Sequence, residues 1–244
     1  MRRLAPLALL AALLAGCGGG GGERATTTTA GAGSPAATTV ADPGKRAIDA
    51  FVSAARAGRA DELWSLLSTP TRRRLGPLAR FRSHAAVELT ERLGSLGRYT
   101  VIVSERITPE FGVVAIDGSR VVEGRRERDV YAAALRLEGS AWKVELRGPV
   151  HVRAVGPDPA AHEDVVAQVA AAVSGQGGNG TAVVYVDGAA ESPKVYGTAT
   201  NSTVVVNFEP ALERGRHTVV VFGSVGRQAA ATGWWFTVAR RPRR

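Results

Sequence analysis

The sequence predicts an α+β unit followed by an all-β sandwich, and three observations lead there. Apolar residues recur at three- and four-residue spacings from Ile48 to Leu93, which is the helical period. From Tyr99 the period changes to two and holds to about Val152. After Gly156-Pro157-Asp158-Pro159 the segments become short and valine-rich, with Gly, Asn or Pro between them at sandwich-like intervals.

The first helix is expected from Pro43, with Asp42 as its cap and Ile48, Phe51, Val52 and Ala55 along one face. Gly58 breaks it, Asp61 opens the next helix (Leu63, Leu66, Leu67), and Ser68-Thr69-Pro70 closes that one. A third helical stretch, roughly Arg80 to Leu96, carries Phe81, Ala85, Leu89 and Leu93 on one side. Four strands are expected next: Tyr99 to Ile107, Gly112 to Asp117, Arg126 to Glu138, and Trp142 to Val152. Hairpin turns are read at Asp117-Gly118 and at Glu138-Gly139-Ser140. Tyr131, Ala133, Leu135 and Leu137 share a face, as do Trp142, Val144 and Leu146, so one sheet face should be buried under the helices. Helices first and a meander afterwards make an α+β unit.

In the second unit, strands are expected at Thr181 to Asp187, Lys194 to Thr200, Thr203 to Phe208, Arg216 to Phe222 and Gly233 to Val238. The Ala-rich run Val165 to Val173 reads as a strand or a short helix. Val204, Val206 and Phe208 alternate inward, and so do Trp234, Phe236 and Val238. That phase turns Trp235 outward, either as a partner contact, since exposed Trp is enriched at binding hot spots, or as cover for a loop or the neighbouring domain.

The chain begins with Arg2 and Arg3, an apolar run from Leu4 to Leu14, and then Leu14-Ala15-Gly16-Cys17. This is the order of a secretory signal, and the run is too short to span a bilayer. Leu14, Ala15, Gly16 and Cys17 closely resemble the lipobox of bacterial lipoproteins. The resemblance implies a leader over 1–16, a diacylglycerol thioether on Cys17, and attachment to the outer face of the cytoplasmic membrane. Cys17 is the only cysteine, which excludes disulfides, thiolate metal sites and a cysteine nucleophile once it is acylated. Two acyl chains provide the two-signal anchoring that one chain cannot.

Residues 17–44, nearly all Gly, Thr, Ala and Ser, are expected to form a flexible tether with a reach of roughly 30 Å. Residues 240–244, Arg-Arg-Pro-Arg-Arg, read as a solvated basic tail. Without the leader the formal charge is 29 basic against 22 acidic residues, so the protein stays basic and suits anionic neighbours. Only Lys45, Lys143 and Lys194 are lysines, a bias of high-GC genomes such as those of actinobacteria.

The phrase from Ala47 to Leu67, with Gly58-Arg59-Ala60-Asp61-Glu62-Leu63 at its centre, resembles the opening of the nuclear transport factor 2-like superfamily, and Trp142-Lys143-Val144 is similar to its closing strands. The resemblance covers 45–155 and implies a cone-shaped fold in which a curved sheet wraps a helix around a pocket. Some members are isomerases, dehydratases or hydrolases with Asp, Tyr or His in the cone. Here the corresponding pocket residues would be Tyr131, Asp129 and His84, although their spacing alone argues no acid-base pair. Residues 156–239 resemble a bacterial immunoglobulin-like domain. That likeness rests on Val183 to Gly188, Leu212 to Val221 and Gly233 to Val238, and implies a spacer or binding module.

His84, His151, His162 and His217 lack metal-ligand spacing, so neither a metal nor another cofactor is expected. Asn179-Gly180-Thr181 and Asn201-Ser202-Thr203 read as turns. A nucleic-acid partner is disfavoured by the export signal and by the lack of aromatic-basic interleaving. The resulting expectation is a non-enzymatic, membrane-anchored envelope lipoprotein that binds or scaffolds an envelope protein or an anionic polymer. The alternative is an enzyme or small-ligand carrier that uses the cone pocket.

Overall fold

In a computed structural model, the described residues are 42–239 apart from 147, 177, 178 and 199. The expected leader, lipobox with Cys17, tether before Asp42 and basic tail lie outside them.

Helix α1 (Pro43–Arg56) starts where local chemistry dictates: the Asp42 carboxylate accepts from the backbone N–H of Gly44 at 2.9 Å and of Lys45 at 3.3 Å. Its apolar face, Ile48, Phe51, Val52 and Ala55, is fully buried. Gly58 turns the chain at φ +63°, and α2 (Ala60–Leu66) follows. Ser68-Thr69-Pro70 ends α2 and also opens a helix, α3 (Thr69–Leu75). The Ser68 hydroxyl caps the Thr71 N–H, and Pro70 occupies the first turn, where a missing N–H costs nothing. The helix expected from Arg80 to Leu96 is two helices, α4 (Leu78–Ser83) and α5 (Ala85–Gly94), broken at His84, whose backbone leaves the helical region. The break lets Phe81 pack on Trp64 of α2, ring centroids 5.1 Å apart, while α5 runs along α1.

The first sheet is an antiparallel meander, β1 (Leu96–Arg106), β2 (Phe111–Val122), β3 (Arg125–Glu138) and β4 (Ala141–Glu145), in that order. Asp117-Gly118 is not its turn. β2 continues to Val122, and the chain reverses at Glu123-Gly124, both with positive φ. Gly118 answers a different need, since a Cβ there would lie 3.0 Å from Leu96 and Tyr99 of β1. The strand expected from Trp142 to Val152 stops at Glu145. Gly148-Pro149 interrupts it, proline having no N–H for a ladder, and the chain resumes in another sheet as β5 (His151–Gly156).

The remaining strands are β6 (His162–Glu163), β7 (Gln168–Ser174), β8 (Gly180–Val186), β9 (Ala189–Glu191), β10 (Lys194–Thr198), β11 (Asn201–Asn207), β12 (Gly215–Val225) and β13 (Gln228–Val238). The Ala-rich run is thus strand β7. One sheet has the order β10-β11-β7-β5 and the other β6-β13-β12-β8-β9. Between them lies a core that includes Val173, Val204, Val206, Val221, Trp234 and Phe236.

Both faces of the first sheet are buried, where burial of one was expected. Val114 and Ile116 of β2 face the helices, while Phe111, Val113 and Ala115 join Tyr185, Val220 and Phe222 of β8 and β12 in a third core. The chain therefore stacks helices, sheet, sheet and sheet in four layers, all within one compact unit. Gly233 allows a close approach of the middle sheets, because a Cβ there would lie 2.7 Å from Val130.

Candidate functional site

Of the three residues expected in the cone, two come together. Asp129 and Tyr131 are two apart on β3 and so share a face. Above them, Arg92 in the last turn of α5 holds Asp129 bidentately, Nε to Oδ2 at 3.1 Å and Nη2 to Oδ1 at 2.9 Å. Its guanidinium carbon also lies 5.1 Å from the Tyr131 ring centroid. Arg120 of β2 approaches the same carboxylate at 3.7 Å. Burial pushes the Tyr131 hydroxyl up to about 12, against the lowering effect of Arg92 and with a smaller raising effect of Asp129. For Arg92, burial acts to lower the pKa, but the hydrogen bonds and charge of Asp129 outweigh it and the net shift is upward. The Asp129 carboxylate is thus occupied by Arg92, and Tyr131 stays neutral with its ring packed under the same guanidinium.

His84 is elsewhere. It lies exposed at the α4–α5 break, with Nδ1 2.8 Å from the Ser83 hydroxyl and 3.3 Å from the Arg80 carbonyl. Arg92 follows eight positions later on α5, about 12 Å along the helix. The interior between helices and sheet is filled by Ile48, Phe51, Leu63, Leu93, Ile116 and Leu135, each at most 1% exposed. Outside that interior, an opening of about 670 Å³ lies over the start of α2, lined by Gly58, Asp61 and Arg82 among others, and a groove of about 480 Å³ runs along edge strand β1, lined by Asp42, Lys45, Tyr99 and Ser104 among others. There the Tyr99 hydroxyl donates to Asp49 at 2.8 Å and the Ser104 hydroxyl to Asp42 at 2.7 Å.

Trp235 does not present an open patch. It faces away from the sandwich core, as its phase requires, but that face of β13 lies against the first sheet. The indole is half-buried, and its N–H donates to the Arg128 carbonyl of β3 at 3.2 Å. Arg216 covers the other side at 5.7 Å.

A buried ion network escaped the sequence reading. Arg136 of β3 and Glu145 of β4, each 6% exposed, are paired, and Arg136 also bonds Glu110 and stacks on Phe111 at 4.6 Å. Its remaining donor reaches the Arg227 carbonyl in the β12–β13 turn at 2.5 Å, tying the first sheet to the second. Glu145 is completed by the Thr71 hydroxyl at 2.9 Å and Arg74 at 3.2 Å. Cross-strand pairing of Arg136 with Lys143 gave no hint of it, because the partners come from other registers.

His217, on β12, braces the β8–β9 turn, with Nδ1 2.7 Å from Asp187 Oδ2 and Nε2 2.8 Å from the Glu213 carbonyl. No group of three or more His, Cys, Asp or Glu among the described residues is placed to hold a metal ion. No described helix is long and apolar enough to cross a membrane.

No family model matches the chain, and no curated protein does. Among solved structures, a protein named Rd1NTF2_05 is similar with 17% identity and a TM-score of 0.32, over 43% of this chain and 93% of its own. An NTF-2-like protein of unknown function from Shewanella oneidensis MR-1 is similar with 11% identity and a TM-score of 0.32, over 41% of this chain and 89% of its own.

Proposed function

We propose that the chain is an envelope lipoprotein, held to the outer face of the cytoplasmic membrane by lipid on Cys17. Its nuclear transport factor 2-like half and immunoglobulin-like half act together as one rigid, non-catalytic binding or scaffolding module. The observation that carries this is the packed cone: the space in which a carrier or enzyme of this shape would hold its ligand is occupied by the chain's own side chains. The shared core between the middle sheets supports a rigid arrangement, because apolar surface buried from both halves opposes their separation. The helices over a meander support the first family reading, and the two sheets around a valine-rich core support the second. Function then lies on the outer surface, where an envelope protein is the natural partner.

Expression of wild type and Cys17→Ser in a lipoprotein-processing host tests the anchor, with lipid labelling and fractionation as readouts. Wild type is expected to be labelled and retained with membranes through a high-salt wash, and the variant unlabelled and released by that wash, which weakens electrostatic surface contacts. A variant that stays in the membrane fraction unlabelled after the wash overturns the anchor. Crosslinking and capture from detergent-solubilised envelope tests the module: recovery of a defined protein supports it, and recovery of a tightly held small molecule instead overturns it.

A further inference from the structure

The β2–β3 hairpin runs past the rest of its sheet. β1 begins at Leu96, opposite Arg120, and β4 pairs only with residues 134–138 of β3, so beyond Arg120 the hairpin is a two-stranded ribbon. Such a ribbon is marginally stable in water on its own merits. This one exposes an apolar side chain at its tip, Val121, at 54%, with Val122 half-buried next to it. Opposite the two valines stand Arg126 and Arg125, both exposed and without a side-chain hydrogen bond or ion pair among the described residues. Arg98, exposed and likewise without such a partner, lies at the base of the ribbon.

The nearby carboxylates do not cancel this charge. Asp117 is held by Arg128, at 2.7 Å through Nε, and Asp129 by Arg92. Glu123 and Glu127 are left, against Arg98, Arg120, Arg125 and Arg126, so the end of the molecule is net positive. Cationic side chains alone would suit any polyanion. Val121 shares one face of the ribbon with Arg126 and Val122 the other with Arg125, so a tip that enters end-on carries a branched apolar side chain and a cation on each face, which suits an interface that is charged on its surface and apolar just beneath, among anionic partners a lipid bilayer.

We propose that the tip of the β2–β3 hairpin docks on an anionic bilayer, with Val121 and Val122 at the acyl boundary and Arg125, Arg126 and Arg98 on headgroup phosphates. This contact is separate from the lipid on Cys17 and stands without it. Each arginine near an anionic membrane surface contributes about fivefold in affinity, and the contribution falls with salt.

The test is cosedimentation with vesicles, using the chain from Gly18 onward, which keeps the whole compact unit and lacks both leader and acylation site. Vesicles of phosphatidylcholine with phosphatidylglycerol are compared with phosphatidylcholine alone. Salt-sensitive binding to the first and not the second is expected. Arg125→Gln with Arg126→Gln should weaken it about 25-fold, and Val121→Ser should weaken it without changing the salt dependence. Arg73→Gln, on exposed α3, should bind as wild type, and unchanged melting temperatures confirm that each variant is folded. Equal binding to both vesicles, or full binding by the arginine variant, overturns the proposal. So does full binding by Val121→Ser, which would mark the tip as a site for soluble polyanions.

Discussion

Phe222 is the sharpest probe of the four-layer architecture, because its ring belongs to the second half of the chain and packs against the first. It is fully buried, and its ring centroid lies 6.4 Å from that of Phe111, tilted by 51°. Truncation to alanine removes the whole ring from a fully buried site, an effect of about 3 to 5 kcal/mol. The pair contributes about 0.5 to 1.5 kcal/mol beyond area burial, and this part is shared between residues 111 positions apart in sequence. Urea denaturation of Phe111→Leu, Phe222→Leu and the double variant isolates it. The coupling should reach at least about 0.5 kcal/mol. Since the third core draws on three sheet strands of the first half and three of the second, all layers should unfold in one transition by fluorescence and far-UV circular dichroism. Zero coupling, or two separate transitions, would refute the packing of the two middle sheets on each other.

Two further perturbations read other layers. Trp234→Ala should cost about 3 to 5 kcal/mol as a core truncation. Trp234→Phe should cost far less, because the buried indole N–H has no partner among the described residues and its removal relieves an unsatisfied donor of about 1 to 3 kcal/mol. Trp235→Ala should also lower the denaturation midpoint, since its indole bridges β13 to β3; a silent Trp235→Ala would contradict that bridge. Stability should fall as pH rises from about 10 toward 12. The folded state raises the hydroxyl pKa of Tyr131 to about 12 through burial, and that of Tyr99 to about 12 through burial and Asp49. Tyr185 shifts upward as well, through burial and then Glu105. The unfolded chain releases these protons first, so it binds fewer than the folded one and stability declines through that window by roughly 1.4 kcal/mol per pH unit for buried Tyr131. Tyr99, partly solvated, contributes less. Tyr131→Phe should flatten the decline, and an unchanged pH profile would rule out its burial as the cause.

Among the candidate site residues, Asp129 and Tyr131 were legible because a strand places alternate residues on one face. Arg92 was not, as an arginine beside Leu89 and Leu93 at the end of a helix carries no mark of a carboxylate 37 residues away. Trp235 shows the same limit: its phase was readable, but what covers that face was not. Arg136 and Glu145 read as ordinary outward strand residues until the second sheet is placed over them.

The caps and phases belong to the sequence. Asp42 caps α1, Ile48, Phe51 and Val52 share its buried face, and Trp234, Phe236 and Val238 alternate into the sandwich core, because a helix or strand period is set by bonds within a few residues. The two unbroken apolar runs, Phe111 to Ile116 in β2 and Val219 to Phe222 in β12, were a readable sign of strands covered on both sides. Which surface covers them was not readable. Tertiary structure alone sends β5 to the second half, moves the hairpin turn from Asp117-Gly118 to Glu123-Gly124, and closes one sheet on another through Gly233. Each outcome is decided by apolar area and close backbone approach between segments far apart in the chain, and no local period encodes those.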